Sequence, residues 1–149
     1  MKTLRSIFFL SLCLLLSIAG YAGDKASFLK KQFTARDGYQ LNYRVLYPRD
    51  YNPAQKYPII LFLHGAGERG SDNEAQLIHG GDMFASFENQ TKYPAIIIAP
   101  QCPAEKTWSE YKGLNAGKEG KRFYPLNAPA TQSMAAVKEL LDRDRKSVV

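Results

Sequence analysis

With 149 residues, 45% hydrophobic and 23% charged, the sequence has the size and composition of one ordinary globular domain, which excludes a disordered chain. Its formal charge of +6 reflects 20 Lys+Arg against 14 Asp+Glu. The lysines are scattered and no basic stripe carries interleaved aromatics, so nucleic acid is excluded as a partner class.

Lys2 and Arg5 precede an apolar run over residues 7–18, followed by Ala19, Gly20, Tyr21, Ala22 and Gly23. A basic start, a short apolar core and small residues two apart predict a secretory signal peptide over 1–22, cleaved after Ala22, and a mature domain over 23–149 that is secreted or periplasmic. The run is short for a membrane span, so no stable span is expected after cleavage; the alternative is an uncleaved N-terminal anchor. Cleavage removes Lys2 and Arg5 and leaves a charge of +4. It also removes Cys13. Cys102 then stands alone, either as a buried small hydrophobe or as half of a bridge whose partner lies outside these residues.

Segments 28–34 and 39–47 flank Arg36-Asp37-Gly38, and Leu41, Tyr43, Val45 and Tyr47 share one face of the second. An Asp-Gly turn between alternating segments predicts a β-hairpin. Pro48, Asn52 and Pro53 then lead into 57–70, YPIILFLHGAGERG. The unbroken run Ile59, Ile60, Leu61, Phe62 and Leu63 predicts a central strand buried on both faces. His64-Gly65-Ala66-Gly67 stops it at a turn where backbone N–H groups can approach a ligand closely.

In the polar segment 71–92, Ser71-Asp72-Asn73-Glu74 has N-cap character, and Leu77, Ile78 and Phe84 predict a short helix broken at Gly80-Gly81. A second buried strand follows at Ala95-Ile96-Ile97-Ile98-Ala99. Strand, helical crossover and strand predict a βαβ unit, a parallel sheet and the α/β fold class. After Pro103 the chain reads as an irregular loop carrying Trp108, Tyr111, Gly113, Gly117, Gly120 and Pro125. Met134, Val137, Leu140 and Leu141 recur at helical spacing and predict a helix capped by Thr131 and ending near Arg143.

The hairpin, PIILFLHGAGERG, the SDN stretch, PAIIIAPQCP and the tryptophan together resemble the N-terminal half of a secreted α/β-hydrolase of the polyhydroxyalkanoate depolymerase, feruloyl esterase and predicted peptidase type, over residues 33–141. The resemblance implies an initial antiparallel hairpin, then parallel strands with crossover helices, with the chain stopping before the nucleophile elbow. It implies a carboxylic-ester hydrolase or related peptidase without a cofactor, acting on small-molecule or polymeric esters derived from plant polysaccharide or polyester. In such enzymes the turn after the third strand supplies a backbone N–H to the oxyanion hole. By position that role falls on Ala66, with Gly67. His64, Gly65, Glu68 and Trp108 are the substrate-binding candidates. Preorganised donors at a developing oxyanion contribute about 2.7–4 kcal/mol each to acyl transfer. The plain reading of His64-Gly65 is a strand-terminating turn, and His64 itself reads as structural rather than as a base.

Other readings compete at several positions. Gly65-Ala66-Gly67-Glu68-Arg69-Gly70 satisfies a dinucleotide fingerprint, but a hairpin precedes it, a polar loop replaces the required helix, and no acid closes a strand some 20 residues on. Glu68 and Arg69 either pair across the site mouth, or orient the oxyanion turn, or form a solvated charge pair. Asp72 and Asn73 either cap the loop or shape the pocket. Trp108 either lines an acyl or aryl pocket or packs the long loop. His79, Asp82 and Glu88 lack metal-ligand spacing.

No G-x-S-x-G occurs, and His64 and His79 both precede the place of a nucleophile, whereas a hydrolase triad runs Ser, acid, His in chain order. Ser71 reads as a cap or loop serine. The expectation is therefore the oxyanion-hole half of a Ser-His-Asp hydrolase, ended by an incomplete gene or read, with non-native final residues and no esterase activity alone. The alternative is a secreted non-catalytic α/β-hydrolase-like module that binds carbohydrate or protein. With few strands and one long helix to cover 59–63 and 95–99, the chain is expected to be insoluble or partly folded by itself.

Overall fold

The computed structural model describes residues 24–110, 112–113, 122–123 and 127–147. The predicted signal peptide, Cys13, Tyr111, Gly117, Gly120, Pro125 and the final two valines lie outside the described residues. Strands β1 (Leu29–Thr34) and β2 (Gln40–Leu46) form the expected hairpin, with Thr34 opposite Gln40 and Leu29 opposite Val45. Its turn closes through Ala35 N–H to Tyr39 O at 2.8 Å and Gly38 N–H to Ala35 O at 2.9 Å. Gly38 sits at φ 84°, the left-handed region that glycine enters without steric cost.

Strands β3 (Ile59–Leu61) and β4 (Ile96–Pro100) pair in parallel, and β4 also pairs antiparallel with β2, so the sheet order is β1-β2-β4-β3. The predicted βαβ unit is present. Its crossover is more divided than the pattern suggested: 3₁₀ turns at Ala66–Glu68 and Ala75–Leu77, then helices α1 (Gly81–Ala85) and α2 (Phe87–Lys92). Gly80, at φ 112°, makes the break ahead of α1, and a Cβ there would lie 3.2 Å from the Phe62 ring. Ser86 ends α1 and caps α2, its side chain accepting from Asn89 N–H.

β3 differs from the expected central strand. It is the edge of the described sheet, with Ile60 38% exposed and Ile59 and Leu61 half-buried. An apolar run is buried on both faces only where layers cover it, and that place belongs to β4, whose five residues are all buried. Side chains alternate across a strand. Ile96 and Ile98 face a core of Phe33, Leu41 and Val45 closed by Val137 and Leu140, whereas Ile97 and Ala99 pack with Phe28, Leu46 and Leu77. The expectation that one long helix leaves β4 uncovered is thus corrected, because the 3₁₀ turn at 75–77 and α1 supply a second layer through Leu77, Phe84 and Ala85.

Helix α3 (Gln132–Ser147) starts as predicted, with Thr131 Oγ1 accepting from Met134 N–H at 3.2 Å. It continues one turn past Arg143. No glycine or proline follows to stop it, and Lys138 pairs with Asp142 at 2.6 Å one turn on. Within the segment read as irregular loop, β5 (Lys112–Gly113) and β6 (Arg122–Phe123) form a two-residue antiparallel ladder. Among the described residues no helix is long and apolar enough to cross a membrane.

Candidate functional site

The HGAG turn leaves the C-terminal end of β3, the end at which open α/β sheets place their ligands. His64 fixes it. The ring is buried; Nε2 accepts from Cys102 N–H at 2.9 Å and Nδ1 lies 2.6 Å from Gly65 O. With a donor on Nε2 and an acceptor on Nδ1, the partners assign a neutral imidazole protonated on Nδ1. Both nitrogens are committed to backbone, which is the structural role read from the sequence. Trp108 packs edge-on against this ring, centroids 5.3 Å apart, and donates from Nε1 to His64 O at 3.1 Å. Trp108 thereby ties the start of the long loop to the turn.

Gly65 is extended at φ −77° and ψ −176°, and the 3₁₀ turn Ala66–Glu68 starts directly after it. The first N–H groups of a helical turn have no acceptor inside it. Here they belong to Ala66 and Gly67, and Gly65, Ala66 and Gly67 are all exposed. Arg69 pins the turn from behind, donating to Ala66 O at 2.9 Å and to Lys106 O at 3.1 Å. Of the readings for Glu68 and Arg69, the orienting one matches Arg69, whose guanidinium is taken up by these two carbonyls; no ion pair joins it to Glu68, which lies 3.5 Å from His79 Nε2. A cavity of about 460 Å³ opens beside the turn, walled by residues 62–68 together with Gln76 and His79. Trp108 is not among its walls.

A buried polar network holds the crossover against the sheet. The sequence reading passed over its centre, Gln101. That side chain is 1% exposed; Oε1 accepts from Asn73 N–H at 2.7 Å, and Nε2 donates to Asp72 Oδ1 at 2.7 Å and to Glu68 O at 3.3 Å. Asp72 Oδ1 also accepts from Glu74 N–H and Ala75 N–H, at 2.8 and 3.1 Å. These bonds, the one from Glu74 foremost, hold the Asp72 carboxyl below the ordinary carboxylate range. Asn73 is buried at φ 55° and donates from Nδ2 to Lys31 O and Tyr43 O, both at 3.3 Å. The capping reading is realised for Asp72, whereas the Asn73 side chain bridges the crossover to β1 and β2.

Arg44 is 6% exposed, on the β2 face opposite Val45. It donates to Asn73 O and Phe28 O, both at 2.6 Å, and reaches Glu74, which also meets Lys30. The Lys30 contact foremost keeps Glu74 below its usual range. Ser71 is exposed, and its carbonyl accepts from Asn42 Nδ2 at 3.2 Å. Cys102 is a free, fully buried thiol 3.8 Å from Ser133 Oγ, and burial raises it above the ordinary thiol range. Among the described residues no group of His, Cys, Asp or Glu could hold a metal ion.

No protein-family model and no curated protein matches the chain. Among solved structures, it superposes on a thermostable esterase with a TM-score of 0.64 and 34% identity, over 79% of this chain and 30% of that one. The fold is esterase-type. More specifically it is an α/β-hydrolase-like arrangement, an antiparallel hairpin joined to a parallel pair. Weaker likenesses, both at 20% identity, are to a CE1 ferulic acid esterase from the anaerobic fungus Anaeromyces mucronatus without substrate (TM-score 0.43, 67% of this chain and 37% of that one) and in complex with ferulic acid (0.42, 63% and 34%). The chain therefore spans about a third of the length of each esterase structure.

In this frame Ala66 and Gly67 stand exposed at the start of the turn that follows β3. The described cavity walls contain no serine, cysteine or threonine.

Proposed function

We propose that the chain is the oxyanion-hole part of an exported serine hydrolase that cleaves carboxylic esters, or related peptide bonds, by a Ser-His-Asp mechanism. The observation that carries this reading is the turn itself: two exposed residues, Ala66 and Gly67, open a 3₁₀ turn with no side-chain cap after a parallel strand, and His64 and Arg69 tie it down through backbone contacts. In the reaction their backbone N–H groups take the carbonyl oxygen of the scissile bond and stabilise the negative charge that grows on it as the tetrahedral intermediate forms. The attacking serine and its base are absent from this sequence, so the chain alone binds esters without turning them over. The predicted leader 1–22 supports export.

The decisive substitution is Ala66→Pro. Gly65 is already extended, as the residue before a proline must be, and Ala66 is the first residue of the turn, where proline fits and only the N–H is lost. The ¹⁵N-labelled chain is titrated with methyl glycolate. We expect the Ala66 and Gly67 amide resonances to move together in a saturable way, and Ala66→Pro to keep the same circular dichroism while weakening binding at least threefold. Shifts that avoid both amides, or an unaffected Ala66→Pro variant, overturn the assignment.

A second reading, a secreted non-catalytic binding module, draws on the complete covering of β4 on both faces. Turnover of a p-nitrophenyl ester by the purified chain, abolished by a substitution within it, would refute both the proposal that this chain is inactive alone and the module.

A further inference from the structure

Among the described residues that wall the cavity beside the HGAG turn, Glu68 is the single anion. Its side chain is 14% exposed, covered enough to limit screening of its charge yet still in contact with solvent at the cavity. The carboxylate folds back along the turn that carries it. Oε2 lies 3.1 Å from the point that a Cβ on Gly65 would occupy, so the bare Cα of Gly65 leaves room for the charge against the residue that precedes Ala66.

Little offsets this charge. Arg69, next in the chain, is not a wall of the cavity, and its guanidinium donates to Ala66 O and Lys106 O. His64 has both ring nitrogens committed to backbone. That leaves His79 as the one wall residue able to become a cation; its Nε2 lies 3.5 Å from Glu68 Oε1, and its side chain is 78% exposed, where water screens the contact. The other walls are apolar residues, glycines and one amide. A carboxylate beside an oxyanion hole opposes the negative charge that grows there, because like charges repel. A substrate that brings a positive charge of its own removes the conflict, since the cation offsets Glu68 and the donors of the turn then act on the carbonyl oxygen unopposed.

We propose that Glu68 is a specificity-determining residue of this site, selecting esters that carry an ammonium or other cationic group near the carbonyl over neutral esters of the same shape. This rests on the oxyanion reading of Ala66 and Gly67 and adds the charge class of the substrate. The selection is electrostatic and acts through the field in the cavity, so it does not require a direct hydrogen bond to the carboxylate.

The test compares acetylcholine with 3,3-dimethylbutyl acetate, in which a carbon replaces the quaternary nitrogen, by amide-shift titration of the ¹⁵N-labelled full chain at low salt. The two esters share an acetyl group and a shape and differ in one permanent charge. We expect acetylcholine to bind about two- to fivefold more tightly, the worth of a partly exposed charge pair, with Ala66 and Gly67 responding to both esters. The formal charge of +6 on the chain works against a cation, so such a preference comes from a local anion. In Glu68→Gln, which keeps the length of the side chain, the two affinities should converge. In the unaltered chain, raising NaCl from about 20 mM to about 500 mM should erase most of the preference. If both esters shift Ala66 and Gly67 with equal affinity, the Glu68 proposal is wrong and the oxyanion reading survives. A preference for acetylcholine that persists in Glu68→Gln places the anion elsewhere and overturns the proposal too. If neither ester moves Ala66 or Gly67, the oxyanion reading fails first and the proposal falls with it. Should Glu68→Gln not fold, the Glu68 carboxyl ¹³C resonance of the unaltered chain decides: it should move with acetylcholine and stay still with the neutral ester, and equal responses to the two would overturn the proposal.

Discussion

His64 and Cys102 are joined by a hydrogen bond of 2.9 Å from the Cys102 N–H to Nε2 of the ring. The first residue past the apolar run that includes β3 is thereby tied to the second residue past β4. It gives the histidine of the HGAG turn a different importance from that of a general base.

Replacing His64 with alanine should destabilise the fold. The substitution strips the buried Cys102 N–H of its acceptor and Trp108 of its stacking partner. An orphaned buried donor alone costs about 1–3 kcal/mol, and urea unfolding followed by tryptophan fluorescence should report at least that much. A variant as stable as the parent would show that the backbone N–H finds another partner, and the turn would then not depend on the imidazole.

The carboxyl of Asp72 should make stability fall in acid. Its value in the folded chain lies below the ordinary one because the N–H groups of Glu74 and Ala75 and the Gln101 amide favour the carboxylate, and Glu74 is shifted the same way by Lys30 and Arg44. An acid whose folded value is depressed contributes fully above its unfolded value, about 3.9 for Asp, and loses that contribution as pH falls through the folded value. The urea midpoint should therefore drop on moving from about pH 6 to about pH 2.5. In Asp72→Asn the drop should be shallower. An acid loss of the same size in the variant would place the responsible groups elsewhere.

Ile60 should govern association. It is 38% exposed on β3, which has a hydrogen-bonded neighbour on one side only among the described residues. An apolar edge strand is a template for pairing with another copy, and a lysine on such an edge opposes it. Size-exclusion chromatography should show concentration-dependent association of the chain and a shift toward monomer in Ile60→Lys, with unchanged circular dichroism. A parent chain that stays monomeric throughout the range would remove the edge as a hazard.

Local patterns were legible where one short-range rule governs the outcome. The Asp-Gly hairpin, the AIIIA strand and the Thr131 cap each follow from neighbours in sequence, and each is found. The burial of the 59–63 run was misjudged because composition states how apolar a strand is, not which neighbours flank it; β4 took the central place and β3 the edge. The supporting network was harder to see. Arg44 lies on a face of β2 that alternation marks as solvent, and Gln101 is one polar residue after a buried strand. Only the fold brings Asn73 beneath both, 29 residues from Arg44 and 28 from Gln101. A glutamine following AIIIAP was the available signal, since an amide placed at the end of a buried strand has backbone ends to bind.

The backbone of Cys102 is a clasp. Its N–H goes to His64 and its carbonyl receives the N–H of Gly70 at 2.9 Å, so the whole crossover hangs from one residue as a loop closed at its neck. The exposed end of α2, at Lys92, is the natural place for a protease to cut it. Such a nick severs the chain without parting it: one piece keeps β3 and the turn, the other keeps β4 and Cys102, and the neck and the parallel ladder hold the two together.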